Sequence, residues 1–85
     1  MKEFTYTITD TEGIHARPAG ELVKTAKSFE STIKLSKDGK AADCKRVFAL
    51  MGLAVKQGQT VAITAEGSDE DAAIRAMERF MKENL

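Results

Sequence analysis

The stretch GIHARPAG, residues 13–20, holds the only histidine and the only proline of the chain. Arg17 lies two residues after His15, and Pro18 follows it. An imidazole can act as a nucleophile and form a covalent bond to the group that it carries. A guanidinium is a permanent cation whose planar fork of donors matches phosphate oxygens. The two side chains, this close in sequence, are typical of a site that holds a phosphoryl group on histidine.

The residues after His15 predict that this site lies at the start of a helix. Proline fits an α-helix only in its first turn, where its missing N–H removes no intrahelical hydrogen bond. Apolar residues then recur at helical spacing, at Ala19, Leu22, Val23, Ala26 and Phe29. We therefore predict a helix that begins at about His15 or Ala16. The first-turn amides of a helix lack intrahelical acceptors and attract anions, so we expect them and Arg17 to keep the imidazole uncharged and free to attack.

The residues around His15 exclude other chemistries of a lone histidine. A zinc site needs three or four ligands at close spacing, and one histidine with a distant Cys44 does not supply them. No serine or cysteine is spaced from His15 as a catalytic triad requires. Cys44 stands alone at the end of a predicted strand, so we interpret it as a small core residue. We predict neither a metal ion nor a cofactor, and the alternative for His15 is a surface residue without a function.

Length and composition indicate one small domain over residues 1–85. Thirteen basic residues balance 13 acidic residues, so no net charge draws the chain to nucleic acid or to a membrane surface. The chain has no tryptophan and one tyrosine, which leaves few side chains on which bases could stack. No apolar run approaches the roughly 20 residues that span a bilayer, and MKEFTYTITD lacks the apolar segment of a signal peptide. A single cysteine fits a reducing compartment, so we expect a cytoplasmic protein.

Alternating apolar residues predict four strands. They run through Phe4 to Ile8, Ile33 to Leu35, Ala41 to Cys44 and Val61 to Ala65. Asp38-Gly39 separates the second and third strands and is a strong signal for a type I′ hairpin. The order strand, helix, strand, strand, helix, strand, helix predicts an α+β fold of two layers, in which a mainly antiparallel sheet is covered on one face.

The second predicted helix lies in an apolar segment, and the third begins in a polar one. The segment from Lys45 to Val55, KRVFALMGLAV, is apolar almost all round. It has more apolar side chains than one face of a short helix can bury against a small core. The third helix follows Ser68 and Asp71, which resemble a capping box. Acidic residues begin this helix and basic residues come later in it, as the helix dipole favours.

Together these residues resemble a known family. GIHARPAG is similar to the active-site stretch of the histidine-containing phosphocarrier family, HPr, of the bacterial phosphoenolpyruvate-dependent sugar phosphotransferase system. The resemblance extends through the Asp38-Gly39-Lys40 hairpin, MGLAVKQG (51–58) and TAEGSDEDA (64–72). It implies an open-faced β-sandwich of four antiparallel strands with three helices on one side, in the order βαββαβα.

The resemblance also implies a role for each residue of the motif. Nδ1 of His15 would accept phosphate from phosphorylated enzyme I and pass it to the IIA domains of sugar permeases. Arg17 would steady the phosphate, the amides near Ala16 and Arg17 would cradle it, and Pro18 would fix the start of the helix. Such a protein is a stoichiometric carrier rather than an independent catalyst, and we expect a monomer.

In the family, the apolar second helix forms a docking patch for these partners. The patch corresponds to Val47, Phe48 and Met51, flanked by Ala19 and Gly20. An exposed apolar patch beside a reactive residue suits transient docking. Basic side chains would rim the patch and speed encounters with acidic partners, namely Lys24, Lys27, Lys45 and Arg46. Leu50 and Leu53 are predicted to be core, and the alternative is a helix that is wholly buried.

One residue departs from many Gram-positive relatives. Their second helix begins with a serine that a dedicated kinase phosphorylates, whereas this chain has Arg46 there. No serine occurs between Ser36 and Ser68. We therefore predict that serine phosphorylation and the corepressor role that depends on it are absent. Arginine cannot cap a helix as serine does, so we expect the start of the second helix to fray.

Two other functions stay open at this point. A regulatory paralogue would be phosphorylated on His15 in the same way but serve a signalling branch, and nothing in the sequence separates it from the sugar-transport protein. An acylphosphatase of similar size would bind phosphate through Arg17. That enzyme needs an asparagine to place water, and the only one here is Asn84, near the end of the chain.

Overall fold

A computed structural model describes all 85 residues, and its central element is one four-stranded antiparallel sheet. The strands are β1 (Lys2–Thr7), β2 (Thr32–Lys37), β3 (Lys40–Asp43) and β4 (Thr60–Glu66). They lie in the order β1-β4-β2-β3, so β4 pairs with both β1 and β2. Ile63, at the centre of β4, lies opposite Phe4 of β1 and Leu35 of β2. Because side chains alternate between the faces of a strand, Val61, Ile63 and Ala65 are all buried on one face.

Three helices pack on the sheet: α1 (Ala16–Lys27), α2 (Val47–Gly52) and α3 (Glu70–Asn84). Leu22 of α1 and Met77 of α3 are fully buried with Ile63 in a single hydrophobic core of 21 residues. None of the helices combines the length and the apolar character that a membrane span requires. The predicted α+β fold and its element order, βαββαβα, are confirmed.

The turn between β2 and β3 has the predicted type. Asp38 has a φ of 51° and Gly39 a φ of 80°. A type I′ turn requires positive φ at both central residues, and aspartate followed by glycine tolerates this better than other pairs. The prediction of a hairpin at this position is confirmed.

The start of α3 differs from the predicted capping box of Ser68 and Asp71. Asp69 is the N-cap residue, and its side chain makes no capping hydrogen bond. The Gly67 amide instead donates to Oε1 of Glu70 at 3.2 Å. The capping-box prediction was therefore wrong.

Asp69 binds another part of the chain. Its carboxylate accepts hydrogen bonds from the amides of Glu30 and Ser31 and from the Ser31 hydroxyl. These bonds, the one from the Ser31 hydroxyl first, lower the pKa of the Asp69 carboxyl below its ordinary value. Asp69 thus fastens the loop between α1 and β2 to the start of α3.

The apolar segment around α2 divides between the core and the surface. Leu50 and Leu53 are buried, as predicted, whereas Phe48 is 83% exposed. The alternative of a wholly buried helix is therefore wrong. Cys44, which precedes α2, is fully buried, and this burial, with a smaller effect of the Asp43 charge, raises the pKa of its thiol to about 12. The interpretation of Cys44 as a core residue is confirmed.

Candidate functional site

His15 is the N-cap residue of α1, and the helix begins at Ala16, within the predicted range. The backbone of His15 is extended, with φ −96° and ψ −173°, and its side chain makes no capping hydrogen bond. Pro18 is the third residue of the helix, where no intrahelical N–H is needed. The imidazole is 37% exposed, so the ring lies at the helix N-terminus and still reaches solvent.

The loop before His15 is fixed by main-chain contacts. The Ile14 amide donates a hydrogen bond of 3.1 Å to the carbonyl oxygen of Val55, which follows α2. Gly13 has a φ of 67°, in the left-handed region that favours glycine. The Ile14 and Val55 side chains are both buried in the core. His15 is therefore presented from a backbone that the core holds in place.

Two amides at the start of α1 have no acceptor within the protein. The Ala19 amide makes the first helical hydrogen bond, to the carbonyl oxygen of His15 at 3.0 Å. Pro18 has no N–H, so the unpaired donors of this first turn are the amides of Ala16 and Arg17. Together with the dipole of a 12-residue helix, they make the position beside the imidazole favourable for an anion.

Two carboxylates lie close to the imidazole. Nε2 of His15 lies 3.3 Å from Oε2 of Glu12 and 4.0 Å from Oδ1 of Asp10. The Arg17 side chain is 88% exposed, and its Nε lies 3.9 Å from Oε1 of Glu21. Neither Glu12 nor Asp10 was among the predicted site residues. Their position within five residues before His15 was the available signal.

His15 and Arg17 line the same surface pocket, which has a volume of about 260 Å³. Its other lining residues are Asp10, Pro18, Glu21 and Asn84. Asn84 reaches the pocket from the end of α3, although it is distant in sequence. Its Nδ2 donates to the carbonyl oxygen of Phe80 at 3.0 Å, so this amide is engaged within its own helix. No group of three or more His, Cys, Asp or Glu side chains is arranged to hold a metal ion.

The end of α3 also fixes the acidic loop before His15. The main-chain oxygen of Leu85 accepts hydrogen bonds from the amides of Thr9 and Asp10, at 2.6 and 2.9 Å, and from the Thr9 hydroxyl at 2.9 Å. Asp10 in turn accepts the Glu12 amide on Oδ1 at 2.8 Å and the Gly13 amide on its carbonyl oxygen at 3.1 Å. The backbone of this loop is thus held at both of its ends.

A second surface lies between α1 and α2, and we call it the α1–α2 groove. It has a volume of about 720 Å³ and is lined by Val23, Lys27, Lys45, Arg46, Val47, Phe48 and Ala49. Five of these residues were predicted to dock partners, and Val23 and Ala49 were not among the predicted residues. Met51, a further predicted docking residue, is 38% exposed at the end of α2.

The remaining predicted docking residues lie outside the groove. Ala19 is fully buried, because it belongs to the stripe of α1 that packs against the core, so its prediction as a docking residue was wrong. Gly20 and Lys24 are exposed on α1. They do not line the groove.

Two of the basic residues at the groove directly precede α2. The Lys45 ammonium donates to the carbonyl oxygen of Phe29 at 2.9 Å, so it links the segment before α2 to the segment after α1. Arg46 is the N-cap residue of α2 and makes no side-chain capping hydrogen bond, as expected from the absence of serine.

The chain matches the sequence model of one family, the PTS HPr component phosphorylation site, over residues 2–83. It is 43% identical over 83 residues to the phosphocarrier protein HPr of Lysinibacillus sphaericus, which covers 98% of this chain and 94% of that protein.

Among solved structures, the histidine-containing phosphocarrier protein of Mycoplasma matches with a TM-score of 0.94 and 38% identity, over 96% of this chain and 93% of that one. HPr of Thermoanaerobacter tengcongensis matches with a TM-score of 0.93 and 42% identity, over 98% and 93%. An HPr dimer from the same organism also matches, with a TM-score of 0.78 and 42% identity, over 98% and 95%. The catabolite repression HPr of Bacillus subtilis, Crh, matches with a TM-score of 0.67 and 33% identity, over 99% and 100%.

Proposed function

The chain belongs to the HPr family of phosphocarrier proteins of the phosphotransferase system, and we propose that it carries phosphate on Nδ1 of His15. The phosphate comes from phosphorylated enzyme I and goes to the IIA domains of sugar permeases. The observation that supports this most is the half-exposed imidazole at the N-cap of α1, beside the unpaired amides of Ala16 and Arg17.

In the accepting step, the lone pair of Nδ1 attacks the phosphorus of the phosphohistidine of enzyme I. The Nδ1–P bond forms, the N–P bond of the donor breaks, and its electron pair returns to the donor nitrogen. The donating step repeats this exchange with a nucleophile of the IIA domain. Phosphoryl transfer depends mainly on positioning and on stabilising the charge of the equatorial oxygens. The first-turn amides supply this stabilisation, and Pro18 orients the turn that carries them.

Arg17 steadies the phosphate by exchanging partners. Its Nε lies 3.9 Å from Glu21, and the guanidinium is largely in solvent. Exposed ion pairs of this kind are weak, so a phosphate dianion beside His15 displaces Glu21. A guanidinium binds two phosphate oxygens at once, which a lysine ammonium does not.

The α1–α2 groove is the docking surface for both partners. Phe48 presents apolar surface there, Met51 extends this surface at the end of α2, and Lys27 and Arg46 add positive charge at the edge of the groove. Gly20 and Lys24 extend this surface along α1. Positive charge around an apolar centre speeds encounters with acidic partners more than it tightens the complex.

His15, Arg17 and the first-turn amides belong to one short segment at the start of α1, so the proposed chemistry needs no second copy. We propose a cytoplasmic monomer with one phosphocarrier domain over residues 1–85. Light scattering during size-exclusion chromatography measures the mass in solution, and a dimer at assay concentration would contradict the monomer.

The second candidate is a regulatory paralogue that carries the same phosphohistidine, and the match to Crh is the observation that favours it. The set of IIA domains that discharge the phosphorylated chain distinguishes the two. Because Arg46 has no hydroxyl, we propose that serine phosphorylation does not regulate this chain in either role. Incubation with a Gram-positive HPr kinase and ATP should therefore yield no phosphoserine near residue 46.

Incubation with enzyme I and phosphoenolpyruvate tests the carrier function. The chain should take up one acid-labile phosphate, and His15→Ala should take up none while keeping its circular dichroism spectrum. Arg17→Ala should accept phosphate at least about tenfold more slowly, because a charge-stabilising donor is lost. Arg79→Ala removes an exposed arginine from α3 and should react as the wild type does. Labelling of His15→Ala to the wild-type level would contradict the proposal.

A further inference from the structure

We propose that Glu12 is a positioning residue for transfer at His15. Its carboxylate holds the proton of the neutral imidazole on Nε2 and so leaves the lone pair of Nδ1 free. The inference deepens the proposed phosphocarrier function and rests on it. Its starting point is the distance of 3.3 Å between Oε2 of Glu12 and Nε2 of His15.

The loop directs Glu12 toward the ring. The Glu12 amide donates to Oδ1 of Asp10 at 2.8 Å, and the Gly13 amide donates to the carbonyl oxygen of Asp10 at 3.1 Å, as in an Asx turn. Asp10 is itself fixed, because its amide donates to the main-chain oxygen of Leu85 at 2.9 Å. Oδ1 of Asp10 lies 4.0 Å from Nε2 and already accepts an amide hydrogen. Glu12 is therefore the nearer carboxylate and the one without a competing donor.

The contact selects one tautomer. A neutral imidazole has a proton on one nitrogen and a lone pair on the other, and the partner of one nitrogen decides which is which. An unprotonated Nε2 would point its lone pair at the Glu12 carboxylate, which repels it, whereas a protonated Nε2 is attracted. Nδ1 then carries the lone pair, and His15 makes no capping hydrogen bond that would engage it.

The same carboxylate acts while phosphate is bound. Formation of the Nδ1–P bond leaves a ring that keeps its Nε2 proton and carries positive charge, which Glu12 balances. When the bond breaks, its electron pair returns to Nδ1, and the ring leaves as neutral imidazole with the Nε2 proton still in place. No proton moves in either direction. The other charged side chains of the pocket are Asp10 of the same loop and the Arg17–Glu21 pair of α1.

Nitrogen-15 NMR of the imidazole reads the tautomer directly in the full, unphosphorylated chain. At alkaline pH the ring is neutral, and protonated and unprotonated ring nitrogens have well-separated shifts. We expect the wild-type Nε2 in the protonated range and Nδ1 in the unprotonated range. Glu12→Ala should bring both resonances toward averaged values. Glu12→Gln should keep the wild-type shifts, because its amide oxygen accepts the same N–H without charge.

The matched control is Glu66→Ala, which removes an exposed carboxylate at the end of β4 far from His15. This variant should leave the imidazole shifts and the rate of phosphate uptake from enzyme I unchanged. Glu12→Gln should slow uptake about three- to tenfold, since it keeps the acceptor and loses the charge, and Glu12→Ala should slow it further.

Wild-type nitrogen shifts in Glu12→Ala would overturn the proposal, and so would unchanged uptake rates in both Glu12 variants. A wild-type chain that takes up no phosphate would overturn the carrier function, and with it the role of Glu12 in transfer. The shifts of Glu12→Ala would still decide whether Glu12 sets the tautomer.

Discussion

Gly13 lies so close to Val55 that a Cβ added at position 13 would be 2.2 Å from the Val55 carbonyl oxygen. The same oxygen accepts the Ile14 amide. The loop that presents His15 therefore rests directly on the backbone of the segment that follows α2. This contact links the backbone before His15, the proposed phosphate carrier, to the segment after α2, the helix that carries Phe48 and Met51.

We expect Gly13→Ala to lower the free energy of unfolding by about 2–4 kcal/mol. The φ of 67° costs a residue with a Cβ about 1–2 kcal/mol, and the clash with Val55 forces a further backbone shift. Urea unfolding followed by circular dichroism measures the change.

Gly20→Ala is the matched control. Gly20 lies within α1, and a Cβ there meets nothing within 4 Å. Alanine is favoured over glycine inside a helix, so this variant should gain about 0.5–1 kcal/mol. Equal effects of the two substitutions would show that the contact with Val55 does not constrain the loop.

Ala54 has a φ of 51°, in the left-handed region, directly after the end of α2. We expect Ala54→Gly to stabilise the fold by about 0.5–1 kcal/mol, because relief of this strain exceeds the entropy that glycine adds to the unfolded chain. The melting temperature should rise by a few degrees, roughly 2–8 °C.

Ala72→Gly tests whether this gain is specific to the strained position. Ala72 is exposed on α3, where glycine costs about 1 kcal/mol relative to alanine. The melting temperature of this variant should therefore fall. A fall in Ala54→Gly as well would mean that the backbone at residue 54 is not strained.

The features that sequence predicted correctly depend on local constraints. Pro18 tolerates only the first turn of a helix, which fixes the start of α1 to within a residue. Asp38 and Gly39 both tolerate the positive φ values that their type I′ turn requires, and this tolerance is a local property of the two residues.

The features that sequence missed depend on distant or directional contacts. Asp69 binds the amides of Glu30 and Ser31, which are 39 and 38 residues away, so the local pattern at the start of α3 suggested the wrong cap. The approach of Glu12 to Nε2 of His15 depends on the direction of two side chains, which a motif does not specify.

We expect the free energy of unfolding to fall in acid, in part because the Asp69 carboxylate becomes protonated. Hydrogen bonds from the Ser31 hydroxyl and the amides of Glu30 and Ser31 lower its pKa in the folded state. The stability that this carboxylate contributes is present above the unfolded pKa of about 3.9 and is lost as pH falls through the lower, folded pKa. We expect the slope of unfolding free energy against pH, measured by urea titration below about pH 4, to be smaller in Asp69→Asn.

Asp71→Asn removes a neighbouring exposed carboxylate, whose ion-pair partner is Lys2 at 3.4 Å. Asp71→Asn should keep the wild-type slope of unfolding free energy against pH in acid. Part of the slope should persist in Asp69→Asn, because the Gly67 amide and then the N-terminal ammonium lower the pKa of Glu70 as well. An acid slope in Asp69→Asn equal to that of the wild type would contradict the role of Asp69.

Phe48 gives the sharpest test of the proposed docking surface, because the residue is 83% exposed and contributes little to the core. Phe48→Ala should change the free energy of unfolding by less than about 0.5 kcal/mol. It should raise KM for phosphate transfer from enzyme I about tenfold and leave kcat nearly unchanged, since docking is weakened and the chemistry at His15 is not. Phe80→Ala, which empties a core position only 8% exposed, should instead destabilise the fold by about 3–5 kcal/mol. A wild-type KM in Phe48→Ala would mean that partners dock elsewhere.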